Sequence, residues 1–312
     1  MIWLQSMKIY AAKEAGFCFG VKRALEVIDR LHELGHGVQV YGQLIHNRSV
    51  LDDLKARGID CIDSSKELDA NKTLIIRTHG IPKEIEKTLK KNKVNYVDAT
   101  CPLVKKVHKI VEKIASQNKN TQILIIGDKN HPEIVAAKSY SPDALIINSQ
   151  EEAHRLENKD SISVVAQTTM DADFFEKIIS ILKGKTGNLH IHNTICKATK
   201  VRQEAIKKLA PQVDSVIVVG GKNSANSKKL YNIALQKNKN TFFIEKSSDL
   251  HHTDFIEKMS SFRSVGITAG ASTPPGEIEK IEKLLRNLNI NAGKETNHGR
   301  RKRNPGHEYR NQ

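Results

Sequence analysis

The amino-acid sequence predicts an α/β fold built on parallel sheets, and three observations support this prediction. Short apolar runs rich in Val and Ile, such as 124–126 and 216–219, are typical of strands that are buried on both faces. Amphipathic stretches such as 21–34 and 104–116 lie between these runs. Runs and stretches alternate along all of the sequence up to about residue 290, as they do in βαβ units.

Nine strands and three helices have defined limits in this prediction. The strands, in chain order, are 38–41, 73–76, 95–97, 122–126, 144–147, 162–165, 215–219, 241–244 and 264–267. The helices are 21–34, 104–116 and 275–288, where apolar residues recur at helical spacing.

The composition restricts the class of protein. Lys and Arg total 50 and Asp and Glu total 35, which gives a net charge of +15 over 312 residues. No stretch approaches the roughly 18 apolar residues of a membrane span, and the first six residues are too few for the apolar core of a signal peptide. With 38% hydrophobic residues and four cysteines, a membrane protein, a fibre and a small disulfide scaffold are excluded, and we expect a cytoplasmic location.

A weak internal repeat places three cysteines in equivalent positions. Cys18, Cys101 and Cys196 each follow a strand pattern and a turn, and each precedes a basic helix. The positive end of a helix dipole lowers the pKa of a thiol, so we expect thiolates here. Three thiolates from three units predict a metal site, either an iron–sulfur cluster with one open iron or a zinc ion with one open position. Cys61 lies outside this repeat and is interpreted as structural or as having no role.

Polar loops after the other strands predict a site for an anion. Ligands of open parallel sheets bind beyond the carboxyl ends of the strands, and these loops carry His, Ser, Thr and Asn, which bind phosphate groups together with helix N-termini. The loops are 41–47, 77–82, 127–133, 167–169, 220–227 and 268–273. Glu133, two residues after His131, is the predicted proton donor. The sequence contains neither a P-loop nor a dinucleotide-binding glycine motif.

Nine motifs follow one another in the order of a known family. They are EAGFCFGV at 14–21, GQLIHN at 42–47, THG at 78–80, DATCP at 98–102, HPE at 131–133, QTT at 167–169, TIC at 194–196, KNSANS at 222–227 and TAGAS at 268–272. Together they resemble the 4-hydroxy-3-methylbut-2-enyl diphosphate reductases, over about residues 7–290. Lys197 departs from the family pattern, which has a neutral residue after this cysteine, and predicts a shifted cluster potential.

The resemblance implies a trefoil of three small α/β domains around a central [4Fe–4S] cluster, one per chain. The implied cluster ligands are Cys18, Cys101 and Cys196. The corresponding domains are 19–101, 102–196 and 1–18 plus 197–290. A basic tail, 291–312, follows them and is predicted to be disordered.

The resemblance also implies a reaction and the residues that perform it. The family removes the hydroxyl group of (E)-4-hydroxy-3-methylbut-2-enyl diphosphate reductively, which gives isopentenyl and dimethylallyl diphosphates in the last step of the methylerythritol phosphate pathway. The residues that match its substrate-binding positions are His46, His79, His131, Thr168, Ser224, Ala225, Asn226 and Ser272. Glu133 and Thr168 match the proton-relaying pair. A ferredoxin or flavodoxin-type carrier supplies the electrons.

Two other functions stay open from the residues alone. A zinc-dependent hydrolase acting on a phosphorylated small molecule is the alternative for three cysteines with histidines. A nucleic-acid-binding protein is suggested by the charge, but dispersed lysines and 5% aromatic residues argue against it. We therefore expect an allylic diphosphate and an electron carrier as partners, no membrane, and nucleic acid only as a weak contact of the tail.

Overall fold

The computed structural model describes residues 7–117, 120–251, 255, 258–259 and 261–300. Within these residues, twelve strands form three four-stranded sheets, and all strand pairs are parallel. The predicted α/β class with three parallel-sheet units is therefore confirmed. None of the helices in these residues has both the length and the apolar character needed to cross a membrane.

Each sheet belongs to one unit of the chain. The first unit contains β2 (Val38–Tyr41), β3 (Asp60–Ile62), β4 (Thr73–Ile76) and β5 (Tyr96–Asp98). The second unit contains β6 (Thr121–Ile126), β7 (Leu145–Ile147), β8 (Ser161–Ala166) and β9 (Asn188–His192). The third unit contains β1 (Lys8–Ala11), β10 (Ser215–Val219), β11 (Thr241–Ile244) and β12 (Ser264–Ala269).

The three sheets share one strand order. It is β3-β2-β4-β5 in the first unit, β7-β6-β8-β9 in the second and β11-β10-β12-β1 in the third. In the first and second units the first strand lies between the second and the third, and in the third unit β10 takes this place between β11 and β12, while β1 lies at the edge. The chain therefore crosses from one side of this central strand to the other. Open parallel sheets bind ligands beside such a reversal.

Ten α-helices connect these strands in the described part of the chain. They are α1 (Phe19–Glu33), α2 (Arg48–Ala56), α3 (Lys83–Lys91), α4 (Pro102–Gln117), α5 (Pro132–Lys138), α6 (Gln150–Arg155), α7 (Ala172–Leu182), α8 (Lys197–Leu209), α9 (Ala225–Lys237) and α10 (Pro275–Arg300). The last helix is longer than predicted and includes the first ten residues of the predicted tail, because no proline interrupts it before its end. The rest of the tail, 301–312, lies outside the described residues.

Burial on both faces of each sheet explains the continuous apolar runs. On β6, Leu124 and Ile126 pack into one core, while Ile123 and Ile125 pack into another on the opposite face. Successive side chains of a strand point to opposite faces, so a strand covered on both sides needs apolar residues throughout.

Three helices connect one unit to the next. In α1, Val21 shares a buried cluster with Val38 of the first unit, and in α4, Val107 shares one with Ile125 of the second. Helix α8 packs in the same way on β10 of the third unit. This packing supports the predicted divisions after residues 18, 101 and 196, which we propose as the domain boundaries.

Candidate functional site

A cavity lies between the three units and draws residues from each of them. All twelve residues predicted for the site line it: Cys18, His46, His79, Cys101, His131, Glu133, Thr168, Cys196, Ser224, Ala225, Asn226 and Ser272. Loops at the carboxyl ends of the strands and the first turns of the following helices supply these side chains. The structure therefore places the predicted residues together, and their individual roles stay predictions.

The three cysteines each lie at the beginning of a helix. Cys18 and Cys196 are the N-caps of α1 and α8, and Cys101 directly precedes α4. A Cβ atom on Gly20 would lie 2.9 Å from Cys101 Sγ and 3.9 Å from Cys18 Sγ, so both thiols lie next to this glycine. The backbone N–H of Thr199 donates to Cys196 Sγ over 3.3 Å. Three sulfur atoms that line one cavity can bind a single metal centre.

The predicted lowering of the thiol pKa values is wrong for two of the cysteines. Burial raises the pKa of Cys101 and of Cys196, and neighbouring thiols raise both further because thiolates repel one another. Backbone N–H groups of Leu103 and Val104 oppose the shift at Cys101 without overcoming it. These two thiols therefore keep their protons in the metal-free protein, and a bound metal replaces them.

Three histidines from the first and second units form a compact cluster. The ring centroids of His46, His79 and His131 lie 4.7 to 5.5 Å apart, and a ligand nitrogen of each lies within 4.8 Å of the others. Burial lowers the pKa of all three, to about 4 for His131, and the nearby Arg77 lowers each further. The free protein therefore holds neutral imidazoles here, which suit either an anionic group or a metal ion.

Hydrogen bonds orient two of these rings. His131 is the N-cap of α5, and its Nδ1 accepts the N–H of Glu133 over 3.2 Å, so the proton of the neutral ring lies on Nε2. His46 Nδ1 lies 3.3 Å from Gln43 Oε1 and donates a hydrogen bond to this oxygen. In contrast, His46 Nε2 and His79 Nδ1 are buried without a partner in the described residues. Such groups are costly to leave unpaired, and a bound ligand would satisfy them.

The third unit adds a second group of polar atoms at the N-terminus of α9. Ser224 caps this helix and accepts the N–H of Ser227 over 3.3 Å. Both polar side-chain atoms of Asn226 are buried without a partner in the described residues. Ser272 donates to the carbonyl oxygen of His46 over 3.4 Å and so connects the third unit to the first. A helix N-terminus with a free amide side chain is suited to a phosphate group.

Glu133 and Thr168 form a buried pair. The Thr168 N–H donates to Glu133 Oε1 over 2.6 Å, and the Thr168 hydroxyl donates to Oε2 over 2.8 Å. Glu133 is only 1% exposed, and burial raises its pKa to about 7 although both hydrogen bonds oppose the shift. A carboxyl with this pKa is suited to donate a proton at neutral pH.

Two glycines allow close approaches to residues of the cavity and were not predicted. A Cβ atom on Gly20 would crowd Cys101, and one on Gly221 would overlap the carbonyl oxygen of His46. Glycine inside a helix lowers stability by roughly 0.5–1 kcal/mol relative to alanine. A glycine in the first turn of a helix, such as Gly20 in α1, could therefore have indicated a close approach of another group. Cys61 does not line the cavity.

The fold and the cavity define a three-unit α/β protein with a central cysteine–histidine site. The family described as "LytB protein" matches residues 9–286. The chain belongs to this family.

Similar proteins carry one activity in their names. A 4-hydroxy-3-methylbut-2-enyl diphosphate reductase from Thermoanaerobacter sp. (strain X514) is 40% identical over 294 residues, which cover 93% of this chain and 100% of the relative. The reductase of the same name from Campylobacter hominis is 41% identical over 284 residues, which cover 90% and 100%. The resemblance identified from the motifs is thereby confirmed.

Solved structures agree with these relatives. The structure of (E)-4-hydroxy-3-methyl-but-2-enyl diphosphate reductase, the terminal enzyme of the non-mevalonate pathway, matches with a TM-score of 0.63 and 37% identity and covers 89% of this chain and 98% of its own. The E-1-hydroxy-2-methyl-but-2-enyl-4-diphosphate reductase from Plasmodium falciparum matches with a TM-score of 0.83 and 31% identity, and the coverage is 89% and 88%. These comparisons give no support to the zinc-dependent hydrolase.

Proposed function

We propose that this chain reductively removes the hydroxyl group of (E)-4-hydroxy-3-methylbut-2-enyl diphosphate and releases isopentenyl and dimethylallyl diphosphates. The observation that carries the proposal is one cavity lined by three thiols, three histidines and a buried carboxyl with a pKa of about 7. Membership of the LytB family and the reductase relatives support it. The reaction takes up two electrons and two protons and releases one water molecule.

The thiols fit a metal centre with an open coordination position. Cys18, Cys101 and Cys196 are three soft sulfur donors, and we assign to them one [4Fe–4S] cluster per chain. When bound, such a cluster supplies a Lewis acid for the substrate oxygen and passes electrons to the substrate. Gly20 keeps the space between two of the thiols free.

The diphosphate is proposed to lie between the third unit and the histidine cluster. Ser224, Asn226 and Ser272 offer hydroxyl and amide groups, and the backbone N–H of Ala225 lies in the first turn of α9. A diphosphate there would accept a hydrogen bond from the unpaired amide N–H group of Asn226, and from His46 Nε2 and His79 Nδ1 when these nitrogens carry a proton. The net charge of +15 adds a favourable field for an anionic substrate.

Glu133 is the proposed proton donor for the leaving hydroxyl. Its burial keeps a large fraction protonated at neutral pH, and Thr168 holds both of its oxygens in place. After proton transfer, the same two donors from Thr168 stabilise the carboxylate.

The proposed electron donor is a ferredoxin or flavodoxin-type carrier. We also propose a cytoplasmic location, because all four cysteines are free and a reducing compartment keeps them so.

Turnover under exclusion of oxygen tests this function. Protein purified anaerobically and reduced with dithionite and methyl viologen should convert the allylic diphosphate to the two products, and Cys196→Ser should abolish the conversion. Cys61→Ser is the matched control, because this exposed cysteine does not line the cavity. Release of phosphate without reductant would contradict the proposal and favour the hydrolase.

A further inference from the structure

Arg202 is a buried cation beside two of the cavity's cysteines. Arg202 lies in α8, and only 5% of its surface is exposed. Its Nη2 donates to the carbonyl oxygen of Gly16 over 2.7 Å, and its Nη1 donates to that of Ala198 over 3.0 Å. Gly16 lies two residues before Cys18, and Ala198 lies two residues after Cys196. One guanidinium group therefore joins two cysteine-bearing segments that are far apart in the sequence.

Among the described residues, no carboxylate forms an ion pair with Arg202. Its Nε is buried without a hydrogen-bond partner in that part of the chain. Burial lowers the pKa of its guanidinium, and the exposed carboxylate of Glu14 and the thiolate forms of Cys18 and Cys196 oppose this shift. A buried charge is tolerated in proteins when an opposite charge lies close to it.

We propose that Arg202 is a positioning residue whose charge compensates the negative charge of the metal centre on the three cysteines. The inference rests on the proposed function. A cluster held by three thiolates becomes more negative by one charge with each electron that it accepts. A fixed cation in a buried environment stabilises the reduced form more than the oxidised form, so Arg202 raises the reduction potential of the centre.

Lys197 illustrates why burial matters for this effect. It directly follows Cys196, but it is exposed, so water and salt screen its charge. Arg202 lies six residues after the same cysteine and is held by two backbone carbonyl groups inside the protein. The buried residue, and not the exposed one, is therefore expected to determine the potential.

An anaerobic redox titration of the cluster tests this assignment. At the wild-type midpoint potential, Arg202→Gln should lower the ratio of reduced to oxidised cluster at least tenfold, which is about 59 mV for a one-electron couple. Arg202→Lys keeps the charge and should stay within threefold of wild type. Lys208→Gln is the control, because it removes one charge from an exposed position of the same helix. An unchanged midpoint in Arg202→Gln overturns the proposal, as does an equal shift in Arg202→Lys.

Binding of Zn²⁺ to the metal-free protein is a second readout that needs no cluster. Three thiolates with one Zn²⁺ carry a net negative charge, so the affinity of the thiols for Zn²⁺ should fall at least tenfold in Arg202→Gln and stay unchanged in Lys208→Gln. Titration against a competing chelator, followed by the ultraviolet absorbance of zinc-bound thiolates, separates this binding from any Zn²⁺ held by the three histidines. Arg202→Met replaces Arg202→Gln if circular dichroism shows that the latter is unfolded. Equal affinities overturn the proposal. Wild-type protein without iron and sulfide would contradict the proposed function, whereas the Zn²⁺ measurement would still decide the role of Arg202.

Discussion

Two cavities of the protein are lined by neighbouring residues of the same two chain segments. His79 and Cys101 line the central cavity between the three units, whereas their neighbours Gly80 and Thr100 line a second cavity between α3, α4 and Tyr140. Both cavities are lined by at least one histidine and at least one acidic residue. They differ in how these groups are paired.

In the second cavity, most charged side chains form ion pairs with one another. Lys83 lies 2.6 Å from Glu112, and Lys105 lies 2.6 Å from Asp98. Among its described lining atoms, only Nε2 of His108 is buried without a partner, and the ring of that histidine stacks on Tyr140 with centroids 4.8 Å apart. Charges that neutralise one another stabilise the packing of helices and leave little for a ligand to gain.

In the central cavity, by contrast, several buried polar groups have no partner among the described residues. No ion pair found in the described ranges involves its lining residues. Polar atoms of His46, His79 and Asn226 are buried without partners in that part of the chain. The comparison teaches that unpaired buried groups, more than the mere presence of titratable residues, distinguish a ligand site from a structural cavity.

The largest expected difference between the cavities concerns their carboxyl groups. Glu133→Gln removes the proposed proton donor and should lower kcat by roughly 10²–10⁴-fold. The rate of the wild type should fall as the pH rises through about 7, because the donating form of Glu133 is lost there, and this fall should disappear in the variant.

Glu112→Gln is the matched change in the second cavity. The carboxyl of Glu112 is 46% exposed and its ion pair is worth about 0–1 kcal/mol, so kcat should be unchanged. Steady-state kinetics between pH 6 and pH 9 measures both variants. Equal effects of the two substitutions on kcat would contradict the proposed difference between the two cavities.

Gly20→Ala tests the close approach of the cysteines. The added methyl group would lie 2.9 Å from Cys101 Sγ, so the thiol must move and iron bound per chain should fall to less than half. Gly276→Ala is the control, since its added Cβ would meet no atom within 4 Å apart from its chain neighbours and its own helix backbone, and alanine is favoured in a helix. Full iron content in Gly20→Ala would show that the thiols tolerate displacement.

Binding of inorganic pyrophosphate should take up protons in the central cavity. Burial lowers the pKa values of His46 and His79, so both rings are neutral in the free protein at pH 7. A neighbouring anion raises these pKa values. The affinity for pyrophosphate should therefore weaken as the pH rises toward the histidine pKa values of the bound state, by up to about tenfold per pH unit for each proton taken up.

Calorimetry in two buffers of different ionisation enthalpy measures this uptake, after correction for the protonation of pyrophosphate itself. His46→Gln should reduce the number of protons taken up. Binding without any proton uptake would show that the histidines do not face the anion.

The effect predicted for His108 of the second cavity is on stability and not on activity. Burial lowers its pKa to about 4, whereas an unfolded chain has a value near 6.5. Its contribution to stability is therefore complete above pH 6.5 and is lost as the pH falls toward 4, because the unfolded state binds the proton first. Between pH 7 and pH 5, the free energy of unfolding of His108→Phe should decline by about 2 kcal/mol less than that of wild type. Denaturant titrations at both pH values measure this difference, and equal declines would contradict it.

The sequence predicted all six inner strands and three of the six edge strands, and it missed the other three edge strands. The nine predicted strands agree with the structure to within two residues at either end. The missed strands, β1, β3 and β9, each lie at the edge of a sheet and are mostly exposed or half-buried. A strand with one neighbour and partial solvent exposure does not need the continuous apolar run on which the prediction depended.

The site shows a similar division between local and long-range information. Its residues were predictable because parallel strands bring their following loops to common edges. The raised pKa of Cys101 and the contact between Arg202 and Gly16, 186 positions apart, were not, because both depend on burial created by the assembled units. Helix position alone indicates the direction of the dipole but not the cost of desolvation.

The central claim, an iron–sulfur centre on the three cysteines of the central cavity, is tested most directly by the metal content. Iron and acid-labile sulfide should be measured per chain in anaerobically purified wild type and in Cys101→Ser. We predict about four of each in wild type and sharply lower amounts in the variant. Zinc without sulfide in both preparations would contradict the account.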